Sequence, residues 1–263
     1  MLERITSRDN QNIKEIGKLL QSAKHRRETG RFVLEGTRLC HDAVLSGVTV
    51  EKFFYTKSAL EKYGDAIGEI LKKAQTCYEI DEALLSKISD TKSPQGALCV
   101  CRRLDKTTPV DKMNSKGRYV GLENIQDPSN LGAVLRTAEA LGVDGVILSK
   151  GCCDLYSPKV LRGSMGAVFR LRFHQSENMP KTVSALRERG FAVYASVPES
   201  SALPVTKATL SQGAVILIGN EGNGLTKETI DAASAKITIP MLGRAESLNA
   251  SAAAGILMWE MMR

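Results

Sequence analysis

The sequence predicts an α/β protein in two parts, the second of them built on a parallel sheet. Three observations carry this. Short apolar runs alternate with amphipathic helical segments along the whole chain. In the second half the runs are continuously apolar, as at Val215 to Ile218, the pattern of a strand covered on both faces. Between the two series lies L-D-K-T-T-P-V-D-K-M-N-S-K-G (104–117), which has no apolar periodicity and reads as a linker. At 263 residues the chain has room for two cores.

The first part, residues 1–104, opens on a helix capped by Asn10 or Asn12 that runs to about Ala23, with Ile13, Ile16 and Leu20 on its buried stripe. K-H-R-R-E-T-G-R (24–31) follows, five basic side chains counting His25 around one acid. It is either a solvated turn or a patch that contacts phosphates. Strands are then expected at 32–34, 50–55, 77–80 and 97–102, with helices at 37–46, 58–74 and 82–89.

The second part, 118–263, starts with an apolar strand at 118–122 that Asp127-Pro128 terminates. Ser129 or Asn130 can cap the next helix, whose core stripe is Leu131, Val134, Leu135, Ala138 and Leu141. Arg136 stands one turn after Gly132, and helical side chains lean toward the N-terminus, so its guanidinium can reach the helix start. A strand near 143–148, a short helix at 159–163, a strand ending at Phe173, a helix at 180–189 and a strand at 191–196 continue the alternation. Arg162, Arg170 and Arg172 keep this region basic.

After Ile218 the chain breaks at G-N-E-G-N-G (219–224), where three glycines in six positions permit unusual backbone angles. Thr226 can cap a helix to about Ala233, and a strand at 235–239 is stopped by Pro240. A polar loop then leads to Ser247 and a helix opening with the small residues Ala250 to Gly255. Two strand ends, each followed by a loop and a helix N-terminus, are where open α/β sheets place ligands. The glycine spacing fits neither a phosphate loop nor a dinucleotide fingerprint. What it predicts is a site made largely of backbone, with the carboxylate of Glu221 inside it.

Composition narrows the function. A hydrophobic share of 43% with 25% charged residues is ordinary for a globular protein, and the net charge of +7 favours a polyanionic partner. Residues 1–40 carry nine Lys/Arg against five Asp/Glu, whereas 41–104 balance at nine each. The charged stretch M-L-E-R-I-T-S-R-D lacks the apolar core of a signal peptide, and no apolar run approaches the length of about 20 residues that crosses a bilayer. Six cysteines without C-x-x-C spacing predict reduced thiols in a cytoplasmic protein and no metal site. Cys152-Cys153 has no role legible in sequence.

D-P-S-N-L-G-A-V-L-R-T-A (127–138), L-I-G-N-E-G-N-G-L (217–225) and I-P-M-L-G-R-A-E-S-L-N-A-S-A-A-A-G-I-L (239–257) together resemble the SpoU/TrmH group of the SPOUT RNA methyltransferases, in that group's order. R-F-V-L-E-G-T-R (31–38) more faintly resembles the ribosomal-protein-like (L30e-like) substrate-binding domain that many members carry. The resemblance implies S-adenosylmethionine (S-adenosyl-L-methionine) as methyl donor, a ribose 2′-hydroxyl as acceptor, a deep trefoil knot in the SPOUT domain and a homodimer. By position, Asn130, Arg136, Glu221, Ser247 and Asn249 match the group's catalytic or structural polar residues. Gly219, Ile239, Met241 and Leu248 match its donor-binding positions, and Leu217, Ile218, Asn220, Gly224 and Ser247 are expected to complete the pocket. Ser129 stands where glycine is frequent and Ala250 where a β-branched residue is frequent, and neither change removes a functional group.

A guanidinium seldom surrenders its proton, so Arg136 is expected to anchor the acceptor phosphate and stabilise the forming alkoxide rather than act as base. Glu221 would hold Arg136 or Asn130, and Ser247 could be no more than a helix cap. Lys24, Arg26, Arg27, Arg31 and Arg162 are the candidate RNA contacts. Ribosomal RNA is the preferred substrate. The alternatives are the same reaction on transfer RNA, base methylation, or a non-catalytic RNA-binding factor.

Overall fold

The computed structural model describes residues 3–91 and 93–263, so the first two residues of the charged N-terminal stretch lie outside it. In chain order the elements of the first half are β1 (Glu3–Ile5), α1 (Gln11–Gln21), α2 (Ala23–Thr29), β2 (Arg31–Glu35), α3 (Thr37–Leu45) and β3 (Val50–Tyr55). They continue through α4 (Lys57–Lys62), α5 (Gly64–Lys73), β4 (Thr76–Ile80), α6 (Glu82–Ile88) and β5 (Ala97–Arg102). The second half holds β6 (Tyr119–Leu122), α7 (Pro128–Ala140), β7 (Gly145–Ser149), α8 (Pro158–Ser164), α9 (Ala167–Arg170) and β8 (Phe173–Ser176). After these come α10 (Met179–Glu188), β9 (Ala192–Ser196), β10 (Leu203–Pro204), β11 (Ala214–Ile218), α11 (Lys227–Ala232), β12 (Ala235–Thr238) and α12 (Ala250–Met262).

Two compact units result: the chain up to Asp105 with Asp154–Phe169, and Lys106–Cys153 with Arg170–Arg263. The first is a mixed five-stranded sheet in the order β1-β4-β3-β5-β2, with β5 antiparallel to both neighbours. On α1, Ile13, Ile16 and Leu19 bury against Val33, Phe54 and Val100 of the sheet. Asn10 is the cap of α1, its side chain accepting from the N–H of Asn12 at 2.8 Å.

Residues 154–169 belong to this first unit, although sequence order places them in 118–263. Rings bring them there: Tyr156 lies 4.7 Å from Phe32 and Phe169 lies 6.3 Å from it, centroid to centroid. An ion pair of 2.7 Å between Arg26 and Asp154 adds to this. The expected strand ending at Phe173 is instead helix α9, and β8 begins only at Phe173.

The second unit carries a seven-stranded sheet, β10-β12-β9-β11-β6-β7-β8, parallel at every pairing. Strands β6, β7 and β11 are buried on both faces, which is why they read as apolar runs. Of the residues expected to form only a linker, 106–117 are part of this unit. Thr107 bridges to Phe173, Thr108 donates to the Phe173 carbonyl at 2.7 Å, and Met113 is buried with Tyr119, Val183 and Phe191. A single buried methionine and backbone bridging leave no periodicity for sequence reading to detect. Among the described residues no helix is long and apolar enough to cross a membrane.

Candidate active site

At the carboxyl ends of β9, β11 and β12 the chain encloses a pouch of about 300 Å³, closed on one side by the first turns of α12. The loop after β11 forms its rim. Asn220 and Gly224 exchange backbone hydrogen bonds at 3.0 and 2.9 Å, folding the six residues back over Gly219. A Cβ on Gly219 would sit 2.1 Å from the Gly224 carbonyl carbon, so only glycine permits the approach. Gly224 has φ +67, the left-handed conformation that glycine adopts without strain. The Asn220 side chain pins the turn from inside, accepting from the N–H groups of Gly222 and Asn223 and donating to the Asn124 carbonyl at 2.7 Å.

Three distant segments meet beside this loop. Asp127 caps α7 by accepting from the Ser129 N–H at 2.6 Å, so neither Ser129 nor Asn130 is the cap. That frees Asn130, which is only 8% exposed, to donate to Glu221 at 3.0 Å and to accept from Asn249 at 3.0 Å. Asn249 in turn caps α12, its Oδ1 accepting from the N–H groups of Ser251 and Ala252. Asn249 thus fills the capping role considered for Ser247, and Ser247 lines the pouch. Glu221 also accepts from the N–H groups of Asp127 and Gln126 at 3.2 and 3.3 Å. Burial opposes ionisation of Glu221, but these donors, led by Asn130, outweigh it and hold the carboxyl below its ordinary range.

Of the residues expected at the pocket, Ile218, Gly219, Asn220, Gly224, Ile239, Met241, Ser247 and Leu248 line it. Leu217 does not. It is fully buried on the other side of β11, its side chain filling the space above Gly121, because alternate residues of a strand face opposite ways. Sequence reading missed Ser196 at the end of β9, Val197 and Pro198 just after it, and Ala253 and Leu257 of α12. The strand-end rule, applied to β9 as it was to β11 and β12, would have found the first three.

Arg136 is exposed, its side chain makes no hydrogen bond or ion pair among the described residues, and it does not line the pouch. The helix start it was expected to reach is occupied by Asn130 and Glu221, and Glu221 holds Asn130 rather than Arg136.

Two supports escaped the sequence. Glu123, 4% exposed at the end of β6, accepts from the Thr226 N–H at 2.8 Å and from the hydroxyls of Thr226 and Thr229 at 3.1 and 2.6 Å. It ties β6 to the start of α11 and so fixes the far end of the glycine-rich loop. Cys152 and Cys153 also acquire a role. The Cys152 thiol donates to the Leu122 carbonyl at 3.2 Å and the Cys153 N–H to the Ile125 carbonyl at 2.8 Å, bracing the chain between β6 and α7. Burial pushes the Cys152 thiol up, so it stays protonated as a donor.

The candidate RNA contacts of the first unit separate. Lys24 and Arg27 are exposed, Arg31 pairs with Glu51 at 2.7 Å, and Arg162 pairs with Asp90 at 2.7 Å. Arg26 is no surface contact. It is 4% exposed, and its guanidinium is taken up by Asp154 and the carbonyls of Leu19 and Leu20.

Residues 117–259 match the model of the SpoU rRNA Methylase family, and residues 10–99 match an MRM3-like substrate binding domain. The chain is 31% identical to the 23S rRNA (guanosine(2553)-2'-O)-methyltransferase RlmP of Bacillus subtilis (strain 168), over 99% of both chains. The crystal structure of an AdoMet-bound rRNA methyltransferase from Sinorhizobium meliloti has a TM-score of 0.87 and 30% identity, covering 99% of this chain and 97% of that one. A solved RNA 2'-O ribose methyltransferase has a TM-score of 0.84 and 32% identity over 98% of each chain.

Proposed function

The chain belongs to the SpoU rRNA methylase family, and on that premise we propose that it transfers the methyl group of S-adenosylmethionine to a ribose 2′-hydroxyl of ribosomal RNA. The observation that carries this is the hydrogen-bonded series Glu221–Asn130–Asn249, which joins the three motif segments at the pouch. The donor fits what is there. Ile218, Ile239, Met241 and Leu248 offer apolar walls, the 219–224 loop offers backbone N–H and C=O groups, and Glu221 supplies negative charge suited to a sulfonium. When bound, S-adenosylmethionine supplies an electrophilic methyl group.

The protein's share of the reaction is then positioning and electrostatics. Asn130 and Glu221 hold the loop after β11 against the start of α7, and Asn249 locks α12 to the same point. Arg136, exposed and without a partner among the described residues, meets the acceptor that arrives from solvent. It binds the acceptor phosphate and stabilises the negative charge that builds on the 2′-oxygen as its proton passes to that phosphate or to water, and the planar guanidinium suits both tasks. Lys24 and Arg27 of the first unit contribute phosphate contacts.

The knotted chain path and a homodimer belong to the same proposal. α12 returning to pack on β11 and α7 supports the first. The second is supported by Ile256 and Trp259 of α12, 41% and 59% exposed. A cytoplasmic setting is supported by the six free cysteines and the RNA substrate. The test is transfer of tritium from labelled donor to unmodified ribosomal and transfer RNA, followed by mapping of ribose methylation by mass spectrometry. Label on ribosomal RNA ribose is expected. Label confined to transfer RNA or to bases, or no label, overturns the proposal.

A further inference from the structure

A second cavity, of about 320 Å³, opens in the second unit at the amino ends of β6, β7 and β8, opposite the strand ends that form the pouch. Its wall includes Lys112, Arg172, His174, Tyr119 and Asp144. Arg172 is exposed, and its guanidinium makes no hydrogen bond or ion pair among the described residues. Asp144 is the one acid in the wall, and its Oδ2 already accepts the Arg118 N–H at 2.8 Å. His174 donates through Nδ1 to the Thr108 carbonyl at 3.1 Å, since a carbonyl can only accept.

More positive charge stands close by. Burial, then the charges of Arg172 and Arg170, push the Lys106 ammonium down. The Arg189 guanidinium acts on the Tyr119 hydroxyl, donates through Nη2 to the Met113 carbonyl at 3.0 Å, and keeps Nη1 buried with no hydrogen-bond partner among the described residues. Like charges gathered around a concave space repel one another, and an anion seated there converts that repulsion into attraction.

We propose that this cavity is a second phosphate site, taking a backbone phosphate of the RNA substrate at the sheet edge opposite the methyl-donor pouch. The lining chemistry suits phosphate, with Arg172 as a planar fork and Lys112 as a point charge. RNA is the favoured source because a strand of four or five residues spans about 13–17 Å, a distance that a folded RNA covers while one nucleotide occupies the pouch. The proposal rests on RNA being the acceptor.

The experiment measures binding of unmodified ribosomal RNA by the full chain from low to moderate salt. It compares the wild type, the double variant Lys112→Glu/Arg172→Glu, and a control, Lys181→Glu/Lys207→Glu, with the same charge change on exposed lysines of this unit. Both pairs are exposed, and melting curves confirm that the variants fold. The cavity variant is expected to bind about tenfold more weakly than the control at low salt, and its salt slope to fall by about one unit for each phosphate it no longer neutralises. Equal weakening in both variants overturns the proposal. Titration with inorganic phosphate separates the two sources of the ligand. Phosphate binding that the cavity variant abolishes, with RNA affinity equal to the control's, assigns the cavity to a free anion and overturns the RNA assignment. A wild type that binds no RNA overturns the acceptor reading and this one together. Wild-type RNA binding with indistinguishable variants overturns this one alone.

Discussion

Replacing Gly219 by alanine tests the pouch at the atom where it is tightest. The added Cβ would lie 2.1 Å from the Gly224 carbonyl carbon and the Leu225 nitrogen, and 2.4 Å from the Gly224 oxygen. Ordinary carbon contacts begin at about 3.5 Å, so the loop must open by more than about 1 Å, and the neighbours are backbone that no rotamer change can move. Overpacking of this kind costs about 1–3 kcal/mol. Because the strain falls on the rim of the pouch, it appears as a loss of S-adenosylmethionine affinity of about 5- to 150-fold. Gly222 provides the matched control. It lines the same pouch, and a Cβ there would meet nothing nearer than the Asn220 side chain at 3.6 Å. Isothermal titration calorimetry with S-adenosylmethionine on the wild type, Gly219→Ala and Gly222→Ala reads the effect directly. Gly219→Ala binding as tightly as the wild type, or both variants losing affinity equally, would refute the assignment of this loop as the donor's cradle.

Other outcomes follow from the same geometry. Arg136→Lys is expected to lower single-turnover methylation by about a hundredfold while S-adenosylmethionine affinity holds, since only the planar fork is lost; near wild-type rates would reject the role given to Arg136. Glu221→Gln places an amide against the N–H groups of Gln126 and Asp127 and so destabilises the second unit at neutral pH. The wild-type carboxyl sits below its ordinary value, so its contribution is complete above that value and disappears as pH falls through the lowered one. The gap in melting temperature between wild type and Glu221→Gln should therefore close on acidification, and a constant gap would contradict the account. Arg26→Ala removes one side of a buried ion pair, at a cost of about 3–5 kcal/mol. Lys24→Ala/Arg27→Ala should instead leave stability within about 0.5 kcal/mol and flatten the salt dependence of RNA binding. Chemical denaturation and a salt series of RNA binding tell the two apart.

What the sequence determined by itself was the kind of structure and the kind of site. Continuous apolar runs such as Val215–Ile218 specify buried parallel strands, and the glycines of 219–224 specify a loop that folds back on itself, because both depend on local pattern and backbone freedom. Most of the pouch was legible for that reason. What only the tertiary structure decided was partnership. Arg26 and Arg27 are neighbours in one basic run, yet Asp154, far along the chain, draws the first into the interior and leaves the second in water. Leu217 and Ile218 read alike, but the pleat turns one onto Gly121 and the other into the pouch. Asn130 reads as a cap until Asp127 takes that place, and residues 154–169 read as part of the second domain until their rings settle on Phe32. Backbone preference acts over a few residues and is written in order along the chain. Desolvation, charge pairing and ring packing act between residues that only folding brings together.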